Sequence, residues 1–315
     1  MTTRDRRRSC VRRAVPLPSM TVPEGRVVDL PGRGSTFVTV TPGPPGAPTL
    51  LLLHAVGCTG LLTWFPAIPE LAKRYEVVTF DQRWHGQGIM SEEFSLHDCA
   101  DDVAALIEAL GLEDVILGGY SMGSIIAQRT WRQHPELVSG LVLGATTDRF
   151  RSSPHEMVFF EAMAMSMAAL RGLSRSRTAM AAARAGARML DIDHPEDLHD
   201  WALAEFRSTS PWAVAQALAA LGRHHSTPWL RRIDVPTAVV VMKRDHVIPP
   251  ERQRALALRI PGATMHEADT GHAGCVLSAE AFVPVLAEAY ASVAARLGDR
   301  KRAKRRVELR GDVPC

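Results

Sequence analysis

The sequence predicts an α/β fold: a mostly parallel, eight-stranded sheet with helices on both faces and an inserted helical cap. Three observations point to it. Short β-rich runs alternate with helical periods over most of the 315 residues, the pattern of a sheet wound by crossover helices. One such run, Val115-Ile116-Leu117-Gly118-Gly119-Tyr120, ends in Ser121-Met122-Gly123 and passes straight into a helical pattern. The alternation then stops at about residue 148 and resumes after residue 233. A helical block there reads as an insertion over the strand ends, where ligands bind in such sheets.

Taken in order, residues 26–30 and 35–41 read as two strands joined by Pro31-Gly32-Arg33-Gly34, a hairpin-type link. Residues 41–48 (TPGPPGAP) form a loop by composition. Residues 49–54 (TLLLLH) are a continuous apolar run, as expected of a strand buried on both faces. A helix is expected around 62–74, a strand over 75–81 and a loop over 83–94. Residues 96–110 are amphipathic, with Val103, Leu106 and Leu110 inward and Asp101 and Asp102 outward. A strand over 114–120, a helix over 123–134 and a strand over 139–145 follow.

The block from about 148 to 233 is rich in Ala, Met, Leu and Arg and has helical periods without a convincing strand. Pro154, Pro195, Pro211 and Pro228 each sit where a helix could begin. Its methionines (157, 163, 165, 167 and 180), with Phe159 and Phe160, fit either a greasy lid or ordinary helix packing. Trp201, Phe206 and Trp212 are expected at the cap–core interface. A strand over 235–242, a helix over 250–259, a strand over 264–268 and a long helix over 280–297 complete the core. The expected division is a basic arm (1–22), core (23–147), cap (148–233), core again (234–298) and a basic tail (299–315).

Composition bounds the function. The chain is 46% hydrophobic and 23% charged, which is the balance of a soluble globular protein. No apolar run reaches the length of a membrane span. The arginines of residues 1–13 are not followed by an apolar segment, so a secretory signal is not expected. Cys10, Cys58, Cys99, Cys275 and Cys315 are scattered, without C-x-x-C spacing. That argues against a disulfide framework and a zinc site, and fits a cytoplasmic location. The net charge of +3 combines +5 over residues 1–13, +5 over residues 299–310 and therefore −7 over the body between them. The two basic ends read as solvated tails rather than as a nucleic-acid or lipid contact. Oligomeric state is not legible.

The chemistry lies in three places. A serine hydroxyl is a poor nucleophile unless a base stands beside it and donors receive the developing oxyanion. Gly119-x-Ser121-x-Gly123, between strand and helix, supplies the sharp turn that lifts Ser121 above the sheet edge. Side chains at Gly119 and Gly123 would collide with the neighbouring strand and helix. The base and its orienting acid are expected later, in the order serine, acid, histidine. Asp245 follows the strand 235–242, and His272 follows the strand 264–268. Asp148 is the rival acid. His54, His85, His246 and His266 are poorer bases: the first two precede the elbow and His266 lies inside a strand. The N–H of Met122 is the first oxyanion donor. Val56, in the small-residue loop His54-Ala55-Val56-Gly57, is the candidate for the second. No phosphate-binding loop, H-E-x-x-H or clustered metal ligands appear, and this acyl transfer needs no cofactor.

These residues carry a resemblance. Over about residues 26–297 the chain resembles the α/β-hydrolase fold superfamily. Gly119-Tyr120-Ser121-Met122-Gly123 is similar to its nucleophile motif, and residues 80–88 (FDQRWHGQG) to its D-x-R-G-x-G block. Residues 240–249 resemble its acid-bearing strand and loop, and Gly271-His272 its Gly-His turn. The resemblance implies a Ser-His-Asp hydrolase with a helical cap, of the esterase, lactonase or non-haem haloperoxidase-like kind. Serine at 121 separates it from the branches that use aspartate there. Asp81 and Arg83 are expected to hold loops beneath the site. Two positions depart from the family pattern. Ala55 stands where glycine is usual after His54, and Trp84 replaces the glycine of the arginine block. These bear on the second oxyanion donor and the pocket wall.

The expected activity is hydrolysis of a small or medium carboxylic ester or lactone through an acyl-enzyme. Acyl transfer to another acceptor, peroxide included, and a ligand-binding receptor with weak turnover are the alternatives.

Overall fold

The computed structural model of the protein describes residues 23–150, 158 and 198–311. The expectations for the N-terminal arm, the extreme C-terminus, the methionine-rich segment, Pro154 and Pro195 lie outside these residues.

Eight strands form one sheet: β1 (Gly25–Leu30), β2 (Gly34–Thr41), β3 (Thr49–Leu53), β4 (Glu76–Phe80), β5 (Ile116–Tyr120), β6 (Gly140–Gly144), β7 (Thr237–Met242) and β8 (Thr264–Ala268). Their order is β1-β2-β4-β3-β5-β6-β7-β8. β1 pairs antiparallel with β2, and β2 with β4; every other pairing is parallel. The chain builds outward from β3 to β4, then returns to lay β5 on the other flank of β3. This reversal opens a crevice at the carboxyl ends of β3 and β5, the preferred ligand position in open α/β sheets.

Period-two alternation distributes the apolar side chains to two cores. Leu51, Leu53, Leu117, Leu141 and Leu143 share one core with Val103, Leu106 and Ile107 of α3 (Leu96–Leu110) and Ile125 and Ile126 of α4 (Met122–Gln133). Leu50, Leu52, Ile116 and Val142 face the opposite core with Phe282, Leu286, Tyr290 and Val293 of the long C-terminal helix. That helix starts as Ala279–Arg300, a stretch long and apolar enough to cross a membrane by length and composition. Its apolar face is committed instead to the sheet.

Local chemistry explains where expected elements shift. The single helix expected over 62–74 is two short ones, α1 (Gly60–Trp64) and α2 (Ile68–Leu71). Pro66 and Pro69 deny amide donors to a continuous ladder, and the residue before a proline resists helical geometry. α3 begins and ends where the pattern placed it, capped by Ser95 and stopped by Gly111 in the left-handed region. Asp102, expected outward on α3, is buried: the Arg83 guanidinium reaches it at 2.7 and 2.8 Å, and Arg33 Nε at 2.5 Å. A charge on the inward face is tolerable only when so compensated.

Between β6 and β7, which are neighbours in the sheet, the chain leaves and returns. The described part of this excursion contains α5 (Leu198–Ser208) and α6 (Pro211–Leu221). Pro211 opens α6 as expected, whereas Pro228 is followed only by a short 3-10 turn, Leu230–Arg232. α5 rests on the loops after β3 and β4. Trp201 meets Phe65 edge-on at 5.2 Å, Thr59 Oγ1 donates to Glu205, and the Gly86 amide donates to Thr209 at 3.1 Å. Trp212 packs against the core, but Phe206 is exposed, because it lies on the outer side of α5.

Candidate active site

Ser121 closes β5 and caps α4 with φ 52° and ψ −114°, a conformation that L-residues avoid. Three contacts hold it there. The Ser121 amide donates to Gly144 O at 2.9 Å, and Ser124 Oγ donates to both Gly119 O (2.6 Å) and Gly144 O (2.9 Å). The flanking glycines are a steric requirement. A Cβ on Gly119 would lie 2.3 Å from the Ser124 nitrogen, and one on Gly123 would lie 2.1 Å from Leu53 O. Helix meets strand closely enough only without those carbons.

Two later loops bring their side chains to the same spot. His272 Nε2 lies 3.1 Å from Ser121 Oγ, and His272 Nδ1 lies 2.8 Å from Asp245 Oδ2. Asp245 is ionisable but buried, so its oxygens need donors. Oδ1 accepts from the amides of Val247 (2.8 Å) and Ile248 (2.9 Å), and Oδ2 also accepts from Gln253 Nε2 at 3.0 Å. A carboxylate against Nδ1 selects the tautomer with its proton there, leaving Nε2 free to accept from the serine.

Gln253 was invisible to sequence reasoning. It is fully buried on α7 (Pro250–Arg259), donates also to Ile248 O at 2.7 Å and accepts from the Met242 amide at 3.0 Å. The only sequence trace is its position one turn into the helix after the Asp245 loop. The rival acid Asp148 is elsewhere: its carboxylate takes Thr227 Oγ1 and lies 3.7 Å from Arg259.

Met122 heads α4, where the first amides of a helix have no intrahelical acceptor. Val56 lies in the turn after β3, closed by the Cys58 amide donating to Ala55 O at 3.2 Å, with Gly57 at φ 76°. Leu53 pairs with Gly119 in the sheet, so this turn leaves β3 beside the serine turn. His54 braces it from below. Its Nε2 accepts from the Gln82 amide at 2.8 Å, and its Nδ1–H donates to Ala55 O at 2.7 Å. Burial, with His85 nearby, pushes the His54 pKa well below the usual value, so the ring is neutral and can fill both roles.

Asp81 and Trp84 build the adjoining loop. Asp81 accepts from the amides of Gly60 and Gln87, each at 2.9 Å. Burial lifts its pKa to about 6, against those two hydrogen bonds and with help from Glu205. Trp84 adopts φ 67°, the backbone that favours the glycine usual there. Its ring offsets that strain by burial, packing 6.0 Å from Phe94 and donating Nε1–H to Ser91 at 3.0 Å. A cavity of about 170 Å³ is lined by Phe37, Leu61, Asp81, Gln87, Trp201 and Glu205, and no member of the serine site faces it. On α3, His97, Asp98 and Asp101 bring ligand atoms within 4.8 Å of one another, a cluster sequence reasoning did not flag; Arg33 stands 3.9 Å from each carboxylate.

The pattern of the α/β-hydrolase fold family matches residues 48–279. The chain belongs to this family. A poly(3-hydroxyalkanoate) depolymerase of Ectopseudomonas oleovorans is 29% identical over 265 residues, 83% of this chain and 90% of that protein. Among solved structures, the enol-lactonase from Burkholderia xenovorans LB400 superposes with a TM-score of 0.65 at 23% identity, over 84% of this chain and 100% of that one. A bromoperoxidase from Bacillus anthracis superposes with a TM-score of 0.65 at 18% identity, over 84% and 98%. These two structures share the hydrolase fold with this chain.

Proposed function

We propose that this α/β-hydrolase is a cofactor-independent serine hydrolase of small or medium carboxylic esters or lactones. The observation that carries the reading is the unbroken contact from Asp245 through His272 to Ser121, 2.8 and 3.1 Å long. His272 Nε2 takes the serine proton as Oγ attacks the substrate carbonyl. Asp245 holds the imidazole and balances the charge it acquires. The amides of Met122 and Val56 receive the oxyanion. Collapse of the tetrahedral species expels the alcohol, protonated by His272, and leaves an acyl-Ser121 ester. Water deprotonated by His272 then releases the acid. In a lactone the expelled alcohol remains part of the acyl chain, and the second step releases a single hydroxy acid. The helices between β6 and β7 serve as the cap in this reading. Val214 of α6 supports it, because a Cβ on Gly57 would lie 3.4 Å from its side chain, against the Val56 turn. The depolymerase relative, whose name gives a poly(3-hydroxyalkanoate) as what it acts on, supports an oxygen ester as the substrate.

The test is turnover of p-nitrophenyl butyrate by the protein and its Ser121→Ala variant, with a fluorophosphonate label on each. We expect turnover and labelling of the native protein, and loss of both in the variant. Turnover that survives in S121A would exclude the mechanism. A panel of acyl esters of graded length, with lactones and one amide, then reads the substrate class.

A further inference from the structure

The residue before the nucleophile has an assignment of its own. Tyr120 is the last residue of β5, with only 1% of its surface exposed. Its side chain belongs to the core shared with Phe282 of the C-terminal helix. It runs beneath the turn that carries the base. The phenol oxygen donates to the backbone carbonyl of His272 at 2.7 Å. The Cys275 amide and thiol also reach that oxygen. The ring is wedged edge-on between Trp64 at 6.3 Å and Phe282 at 5.4 Å, and lies 6.1 Å from the imidazole.

We propose that Tyr120 is a positioning residue, a strut that sets the height of the His272 turn relative to Ser121. This rests on the serine-hydrolase reading above. The physical case is one of neighbouring ties. Among the described residues, the His272 side chain is held by Asp245 and Ser121, both of which it must serve during the reaction. Its backbone is held by Tyr120, which takes no part in proton transfer. Burial keeps the phenol protonated well above its ordinary range, so it donates throughout the working pH range. Tyr120 and Ser121 are consecutive, so nucleophile and base are referred to the same stretch of β5. Any shift of the strand end moves both together and preserves the 3.1 Å gap.

The experiment compares Tyr120→Phe with Tyr290→Phe. Phenylalanine keeps the wedged ring and removes only the hydroxyl. Tyr290 is also fully buried, and its hydroxyl has no hydrogen-bond partner among the described residues, so Y290F controls for loss of a buried phenol that is not tied to the His272 carbonyl. With p-nitrophenyl butyrate we expect Y120F to lose about tenfold in kcat and in the rate of fluorophosphonate labelling, with KM within about twofold. Y290F should keep native values of all three. A folded Y120F with native kcat and labelling rate overturns the proposal, as does an equal loss in Y290F. If Y120F does not fold, Phe282→Leu loosens the wedge and leaves the hydroxyl. A drop in kcat at constant KM then supports the strut, and native kcat overturns it. S121A separates the two readings: activity retained there removes the triad itself, whereas an inactive S121A beside a native-like Y120F removes only the strut.

Discussion

Two buried aspartates, Asp245 and Asp102, sit at similarly low exposure and are satisfied by opposite kinds of donor. Asp102 is saturated by the guanidinium groups of Arg83 and Arg33, whose side chains come from outside its own helix. Asp245 meets no full positive charge among the described residues. Its donors are two backbone amides, the Gln253 amide and the His272 ring. A carboxylate clamped by guanidinium has its charge permanently balanced and can only hold elements together. A carboxylate solvated by neutral donors keeps its charge available to a ring that becomes cationic partway through a reaction. Burial alone therefore says nothing about role; the charge state of the partners does.

Removing each charge without changing shape separates the two carboxylates most widely. Asp245→Asn is expected to lower kcat by about 10³- to 10⁴-fold while the protein stays folded, because the amide favours the wrong tautomer of His272. Steady-state kinetics with a thermal melt checks both halves. Asp102→Asn should do the reverse: kcat within a few-fold of native, but a loss of about 3–5 kcal/mol in urea unfolding, since two guanidinium groups are left facing an amide. Similar kinetic losses in the two variants would erase the distinction.

A third aspartate gives a smaller effect with a pH signature. Asp81 has its pKa raised from 3.8 to about 6, chiefly by burial. A raised carboxyl favours folding in its protonated form. Its contribution is therefore full below the unfolded value and is lost as pH rises through about 6. Between pH 4 and pH 7 this group should subtract up to about 3 kcal/mol from stability. Urea midpoints across that window, native against Asp81→Asn, should show a shallower slope in the variant. Smallest of all, Gln253→Ala removes one of the neutral donors to Asp245. It should cost about 1–2 kcal/mol of stability and a few-fold in kcat; kinetics and melts on the same sample decide it.

Much of this was legible beforehand because local chemistry and fold agree. The unbroken TLLLL of β3 reads as a doubly buried strand, and Gly119 and Gly123 are demanded by atoms within two neighbouring elements. The order of Ser121, Asp245 and His272 follows from the strands that carry them. What escaped depends on partners far along the chain. Asp102 looks like any polar residue on an amphipathic helix until Arg33 and Arg83 are folded against it. Gln253 and Tyr120 carry ordinary side chains, and only the tertiary approach of Asp245 and the His272 turn gives them work. Phe206 fits an apolar face by spacing, yet the side of α5 that meets the core carries Trp201 and Glu205.

The separation of the reacting groups along the chain has a consequence for biosynthesis. Ser121 precedes His272, its base in the proposed mechanism, by 151 positions, with the whole β6–β7 excursion between them. A polypeptide still emerging from the ribosome displays the hydroxyl with nothing to deprotonate it. In the proposed mechanism the hydroxyl therefore gains its base only once β8 and the turn that follows it have been made and folded against the serine turn.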